Sequence, residues 1–262
     1  MFRSLYTAAS GMNAQQMNLD NVANNLANAN TAGFRKRRVQ FQDMIYQNVV
    51  APGSAATQQT VSAGLQVGLG TRAAATEILQ SQGDFQQTGN SLDVAIQGIG
   101  YFQVLTPNGQ IAYTRSGSFH LDAQGNVVTS DGDALQPGLT IPADATSISI
   151  GSDGTVTVTQ PGQTQAQQIG QIQLATFPNP GGLNSVGSNL LLPTSSSGDP
   201  ITGNPGGSEG LGTLVQGSLE QSNVNTVEEF IQMILAQRSY EANSQVAKAA
   251  DQMFQEVNQL GK

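Results

Sequence analysis

Leu5, Met12, Leu19 and Leu26 recur every seven residues, and Ala8, Gln15, Val22 and Ala29 follow each of them by three. That a/d alternation predicts a helix with a narrow seam, weakened by the amide of Gln15 and by Gly11. The pattern stops at Asn30-Thr31-Ala32-Gly33-Phe34, where Gly33 is expected to cap a helix of about 30 residues, roughly 45 Å long. Near the other end, Ser239, Val246, Met253 and Leu260 recur at seven, and Leu235, Ala242 and Ala249 fill a second line. Thr226 followed by Glu229 predicts a capping box, with Thr226 as the N-cap. Each seam is narrower than the apolar face of an ordinary globular-domain helix. It can pack as plain core, pair with the other terminal helix, or pair with a neighbouring copy.

The middle of the chain changes period. All ten prolines lie between Pro52 and Pro205, which suits helical ends around a non-helical centre. Short β-rich runs from Asp93 to Pro137 are separated by PNG, AQG and SDG, which are turn signals. TSISIGSDGTVTVTQ reads as a hairpin turning at Asp153-Gly154, and QIGQIQLATF as a further strand. The stretches after Gln47 and after Ser195 are poor in bulky apolar residues and read as extended connectors.

Composition sharpens this picture. Only 11% of the 262 residues are charged and the net charge is −8, whereas an ordinary soluble domain carries about 25% charged residues. A surface of neutral amides and hydroxyls repels its own copies weakly, which favours dense self-packing. There is no cysteine, so disulfides, thiolate zinc sites and a cysteine nucleophile are excluded. No apolar run approaches the roughly 18–20 residues of a membrane span. The N-terminal apolar stretch is too short and broken for a secretory signal, so any export is expected to proceed without a cleaved one.

Candidate chemistry is sparse. The single histidine, His120, shares a strand face with Ser118 and Asp122, but strand geometry spaces them about 6–7 Å apart in a row, not converging as a triad requires. A polar strand face with Phe119 and Leu121 turned inward explains the same spacing. Gly98-Ile99-Gly100 lacks the third glycine of a dinucleotide loop and reads as a bend or bulge. The run Arg35-Lys36-Arg37-Arg38 holds four of the ten basic residues. Without a second basic cluster on an acidic chain it is expected as a solvated face or a contact to a neighbour's acids, with no nucleic-acid partner. No cofactor, metal or catalytic residue is assigned.

Three long stretches carry a resemblance. SGMNAQQMNLDNVANNLANANTAGFRKRR, DVAIQGIGYFQVLTPNGQIAYTRSGSFHLDAQGNVVTSDG and NVNTVEEFIQMILAQRSYEANSQVAKAADQMFQ resemble the N-terminal, central and C-terminal signatures of the bacterial flagellar rod and hook family. The segment after Tyr46 is most similar to the insert of the distal-rod branch; a proximal rod or hook subunit is the alternative. The resemblance implies an α+β fold in which long N- and C-terminal helices pair as a coiled coil around a central all-β domain with extended connectors. The expected bounds are 1–34 and 222–262 for the helical inner tube, 35–72 and 205–221 for the connectors, and 73–204 for the outer β domain. It implies a non-enzymatic structural subunit that assembles into a helical tube crossing the periplasm and transmits torque to the hook. Implied partners are further copies of the chain, proximal rod proteins, a hook or hook-junction protein, the surrounding P and L ring proteins and the flagellar export apparatus. The implied location is the basal body, from periplasm to outer membrane.

The self-assembly residues expected on this basis are Leu5, Met12, Leu19, Val22, Asn24, Asn25, Leu26 and Asn28 at one end. At the other they are Leu235, Ala242, Val246, Ala249, Met253 and Leu260. In a tube the amides of Asn21, Asn24, Asn25, Asn28 and Asn30 can hydrogen-bond to neighbouring copies, each net bond contributing about 0.5–1.5 kcal/mol. Leu19→Asp is expected to block assembly while leaving the β domain folded. Normal polymer from that variant, seen by electron microscopy, would count against the seam.

Overall fold

A computed structural model describes residues 2–50, 55–56, 59–60, 64–162, 165–207 and 210–260. The chain divides into two compact units. The helical unit comprises Met1–Ala27, Arg37–Glu77 and Asn225–Lys262, and the β unit comprises Asn28–Lys36 and Ile78–Val224.

The helical unit pairs α1 (Phe2–Ala27) with α2 (Thr226–Leu260). Phe2 meets Phe254 with ring centroids 5.0 Å apart, Asn243 lies against Gly11, and Asn25 bonds Glu229, so the helices run antiparallel. At Gly11 an added Cβ would sit 2.8 Å from the Asn243 Nδ2. The glycine that weakens α1 as an isolated helix is therefore a point of close approach to α2.

Both helix boundaries differ from expectation. α1 stops at Ala27, not Gly33. The Thr31 N–H and hydroxyl both turn back onto Asn28, an alternative that Asn and Thr side chains offer to helix continuation. Gly33 lies in the β unit with φ +71°. The N-cap of α2 is Asn225, whose Oδ1 accepts N–H groups from Val227 and Glu228 at 3.0 and 3.4 Å. Thr226 is then the first helical residue, and Glu229 is freed for α1.

The segment expected as an extended connector is largely strand. β1 (Arg37–Asp43) and β2 (Tyr46–Val50) precede two short strands, β3 (Ala55–Ala56) and β4 (Gln59–Thr60). β5 (Leu65–Gly68) and β6 (Thr71–Ile78) follow. β2 pairs antiparallel with β5, and β1 pairs with β6, so most of this segment folds back on itself, with β1 against α1.

In the β unit nine strands form one sheet. The strand Tyr101–Leu105 pairs antiparallel with Ile111–Thr114 and Ala134–Gln136, and Phe119–Leu121 pairs with Val127–Thr129. Glycines at 109, 125 and 132, all with positive φ, sit in the expected turns. The hairpin at Asp153-Gly154 pairs Ile148 with Val158 and Ile150 with Val156. QIGQIQLATF is broken in two: Gln167–Gln171 joins that hairpin, whereas Leu174–Thr176 joins the large sheet. The stretch expected as a second connector supplies Thr213–Gln216 and Ser218–Glu220, paired with Val94–Gln97 and Phe85–Gln87.

The β core gathers Val94, Ile96, Phe102, Phe119, Leu135 and Leu174, with Phe102 and Phe119 edge-to-face at 5.1 Å. Phe119 turns inward as expected, but Leu121 is 42% exposed, because only the first residue of this short strand reaches the core. Gly117 admits the chain here, since a Cβ on it would fall 1.7 Å from the Val94 carbonyl oxygen. Phe102→Ala should destabilise the β unit by about 3–5 kcal/mol, measured as a lower denaturant midpoint; an unchanged midpoint would show that this packing is dispensable.

Candidate self-assembly surface

Each unit contains a buried polar junction. In the helical unit the Asn25 side chain is 1% exposed. Its Nδ2 donates to the Arg37 carbonyl at 2.9 Å and to Glu229 Oε2 at 3.1 Å, and its Oδ1 accepts the Arg37 N–H at 3.0 Å. The Asn21 Nδ2 donates to the same Arg37 carbonyl at 2.8 Å. One amide thereby treats β1 as a neighbouring strand would and holds α2 with its remaining hydrogen. Asn21 and Asn25 thus serve contacts within the chain.

In the β unit the Glu220 carboxylate lies between two arginines. Arg115 Nε is 2.7 Å from one oxygen and Arg35 Nη2 is 2.8 Å from the other. The Gly83 N–H adds a bond at 3.1 Å. Arg115 also donates to the carbonyls of Ile96, Gly98 and Gly100, so the Gly-Ile-Gly turn is a cradle of oxygens for a buried guanidinium. Arg35 reaches the Ser81 carbonyl. Burial pushes the Arg35 guanidinium below its ordinary pKa, opposed by the charge of Glu220, and burial raises the Tyr101 phenol. Nearby, Asn223 accepts the Lys36 N–H and donates to the carbonyls of Leu79 and Ser81.

The basic run is therefore not a uniform solvated face. The Arg35 side chain is mostly covered, the Lys36 and Arg37 backbones are clasped by asparagines, and Arg38 makes a surface ion pair with Glu77 at 2.9 Å. Hydrogen bonds from Arg38 and Gln40 hold the Glu77 carboxyl below the usual range. No group of three or more His, Cys, Asp or Glu side chains placed to hold a metal occurs among the described residues. His120 is exposed, and the Asp122 carboxylate closes its own turn with Asn126 and Gln124.

The expected seam residues separate into two sets. On α1, Val22 and Asn25 are buried, Leu5, Met12, Leu19, Leu26 and Asn28 are half-buried, and Asn24 is exposed. On α2 the face packed against α1 is a different line from the expected self-assembly residues. It is Glu229, Ala236, Asn243 and Ala250, itself a seven-residue repeat, with Met233, Ala247 and Phe254 beside it. A search for apolar heptads passes over this line because its members are small or polar. Leu235, Ala242, Val246, Ala249 and Met253 face outward, with Leu235 54% exposed and Val246 50%. The side chain of Leu260 lies outside the described residues. Val227, Phe230, Ile231 and Ile234 extend the exposed apolar surface toward the start of α2. An apolar surface of this extent on a helix marks an interaction site.

Three family models match the chain. "Flagella basal body rod protein" matches residues 5–35, "Flagellar hook protein FlgE/F/G D1 domain" residues 95–158, and "Flagellar basal body rod FlgEFG protein C-terminal" residues 215–260. Among similar proteins is the flagellar basal-body rod protein FlgG of Caulobacter vibrioides, 47% identical over 98% of this chain and 99% of the relative. Its namesakes in Buchnera aphidicola and Bacillus subtilis are 45% and 41% identical, each over 99% of this chain and over 100% and 99% of the relative.

Removing the charge at the buried junction should be costly. Glu220→Gln leaves two buried guanidiniums facing a neutral amide and should cost about 3–5 kcal/mol. Thermal melting would read this as a lower midpoint, with faster amide exchange at Gly83. An unchanged midpoint would mean that the carbonyl bonds alone, the cradle for Arg115 and Ser81 for Arg35, hold the two arginines.

Proposed function

The chain belongs to the flagellar basal-body rod family, and from that premise we propose that it polymerises into a tubular shaft through its outward-facing helical surface. It is a structural subunit of the flagellar distal rod and not an enzyme. The observation that carries the polymer reading is the outward line of α2 from Leu235 to Met253, which the chain's own α1 leaves uncovered.

A subunit that buries one narrow face of each terminal helix in itself keeps the other for its neighbours. Contacts made by two different patches do not close on themselves and generate open helical filaments. In this reading α1 and α2 pair as a coiled coil and line the inner tube, and the β unit lies outside. The assembly residues are the exposed and half-buried members of the expected set, Leu5, Met12, Leu19, Asn24, Leu26 and Asn28 on α1 with the α2 line. Val22 and Asn25 act by holding α1 in shape.

The finer placement follows the same premise. The shaft crosses the periplasm toward the outer membrane and carries torque to the hook. It meets proximal rod proteins below, a hook or hook-junction protein above and the P and L rings around it. The chain leaves the cytoplasm through the flagellar export apparatus. A sparsely charged, amide-rich surface suits a channel through which other chains must pass without sticking.

Electron cryotomography of cells lacking this chain is expected to show an axial structure that stops inside the periplasm, with no hook. A complete rod lacking only the curved external segment would make this the hook subunit. Normal hooks and filaments would overturn the structural role.

A further inference from the structure

A trough runs along the helical unit between α1 and β6. Two depressions of about 460 and 370 Å³ meet at Met17 and Ala73, which line both. Its walls are mostly small or flexible: Ala9 and Ala14 on α1, Ala73 and Ala74 on β6, and the thioethers of Met17 and Met44. Alanine walls let a helix approach closely, and methionines adapt to what lies against them. Asp20 stands at one end of the trough and Tyr6 at the other. Resting on the polymer reading above, we propose that this trough is the seat for the outward line of α2 from a second copy of this chain, with Arg238 of that copy beside Asp20.

Three observations select this occupant. The first is length. Tyr6 to Asp20 spans fourteen helical residues, about 21 Å, and Arg238 to Met253 spans fifteen, about 22 Å. The second is shape. Ala242, Val246 and Ala249 form a low outward ridge, which suits a shallow trough walled by alanine better than the bulkier Phe230 and Ile231 do. The third is charge. Arg238 lies one turn before Ala242, with its side chain 78% exposed and only a loose ion pair to Glu241 at 3.4 Å. So exposed a pair contributes little and exchanges readily for Asp20.

The chain cannot fill its own trough. The α2 line Glu229, Ala236, Asn243 and Ala250 faces α1, and Ala242, Val246 and Ala249 flank it and remain exposed. Direction is consistent too. In a filament generated about one axis every α1 points the same way, so a neighbour's α2 runs antiparallel to it, as the chain's own α2 does. Setting Arg238 level with Asp20 in that sense brings Val246 near Asn13 and Ala249 near Ala9.

The absence of cysteine makes this testable by crosslinking. Two chains, one carrying Ala9→Cys and the other Ala249→Cys, would be expressed together, and basal bodies isolated under mild oxidation. A disulfide needs Cβ atoms about 3.5–4.5 Å apart, so a dimer linked through these two positions, identified by mass spectrometry, is the expected result. The pair Asn13→Cys and Val246→Cys reads the same register one turn away. Intact rods without either crosslink would overturn the trough assignment while leaving the polymer reading in place. Rods that form normally in cells lacking the chain would defeat the polymer reading itself. Asp20→Arg or Arg238→Asp alone should lower the number of hook-bearing cells about tenfold, and the two together should restore it. Failure of the double variant to recover, with both singles folded, would remove the charge pairing.

Discussion

One buried amide, that of Asn25, ties together three elements of the helical unit. Its side chain joins residues that lie far apart in sequence, α1 to β1 through Arg37 and α1 to α2 through Glu229. A buried amide has few places to put two hydrogens and two lone pairs, so these partners leave it almost no freedom. The antiparallel register of the helices is set at this end by that amide and at the other by the rings of Phe2 and Phe254. A seam built only of alanine and leucine would slide more easily, because apolar contacts are non-directional.

That seam is thin, and its thinness has a consequence. Two helices that bury mainly Ala8, Val22, Ala236 and Ala250 against each other gain little from the hydrophobic effect, since alanine offers few apolar atoms. The larger apolar side chains of α2 point the other way. In an isolated globular protein this arrangement would be inverted, with large residues inside. In the polymer proposed above, these exposed side chains are what contacts between copies would bury. The β unit follows the ordinary rule, with Phe102, Phe119 and Leu174 fully enclosed.

The sequence made the terminal helices and the hairpins of the centre legible, because each is a local pattern. The turn glycines at 109, 125, 132 and 154 have positive φ where the tripeptides marked them. It misled where a side chain competed with a local rule. Gly33 looked like a helix cap, yet the turn at Asn28 and Thr31 ends α1 first. Thr226 and Glu229 looked like a capping box, yet Asn225 caps the helix and Glu229 reaches across to α1. The amides of Asn21 and Asn25 suggested contacts between copies, and the bonds they show within the chain go to β1.

Seven-residue spacing, the absence of cysteine, sparse charge and three long signatures were enough to establish two terminal helices, a β-rich middle and a family of structural subunits. They could not say which stripe of α2 meets α1. Two heptad lines are present, and choosing between them requires the partner's shape, Gly11 opposite Asn243 and Asn25 opposite Glu229. Nor could they bring Arg35, Arg115 and Glu220 together, since their meeting depends on strand pairings between residues more than a hundred positions apart. Periodicity is a property of neighbours along the chain, whereas burial of a charge or an amide depends on what the rest of the chain places against it.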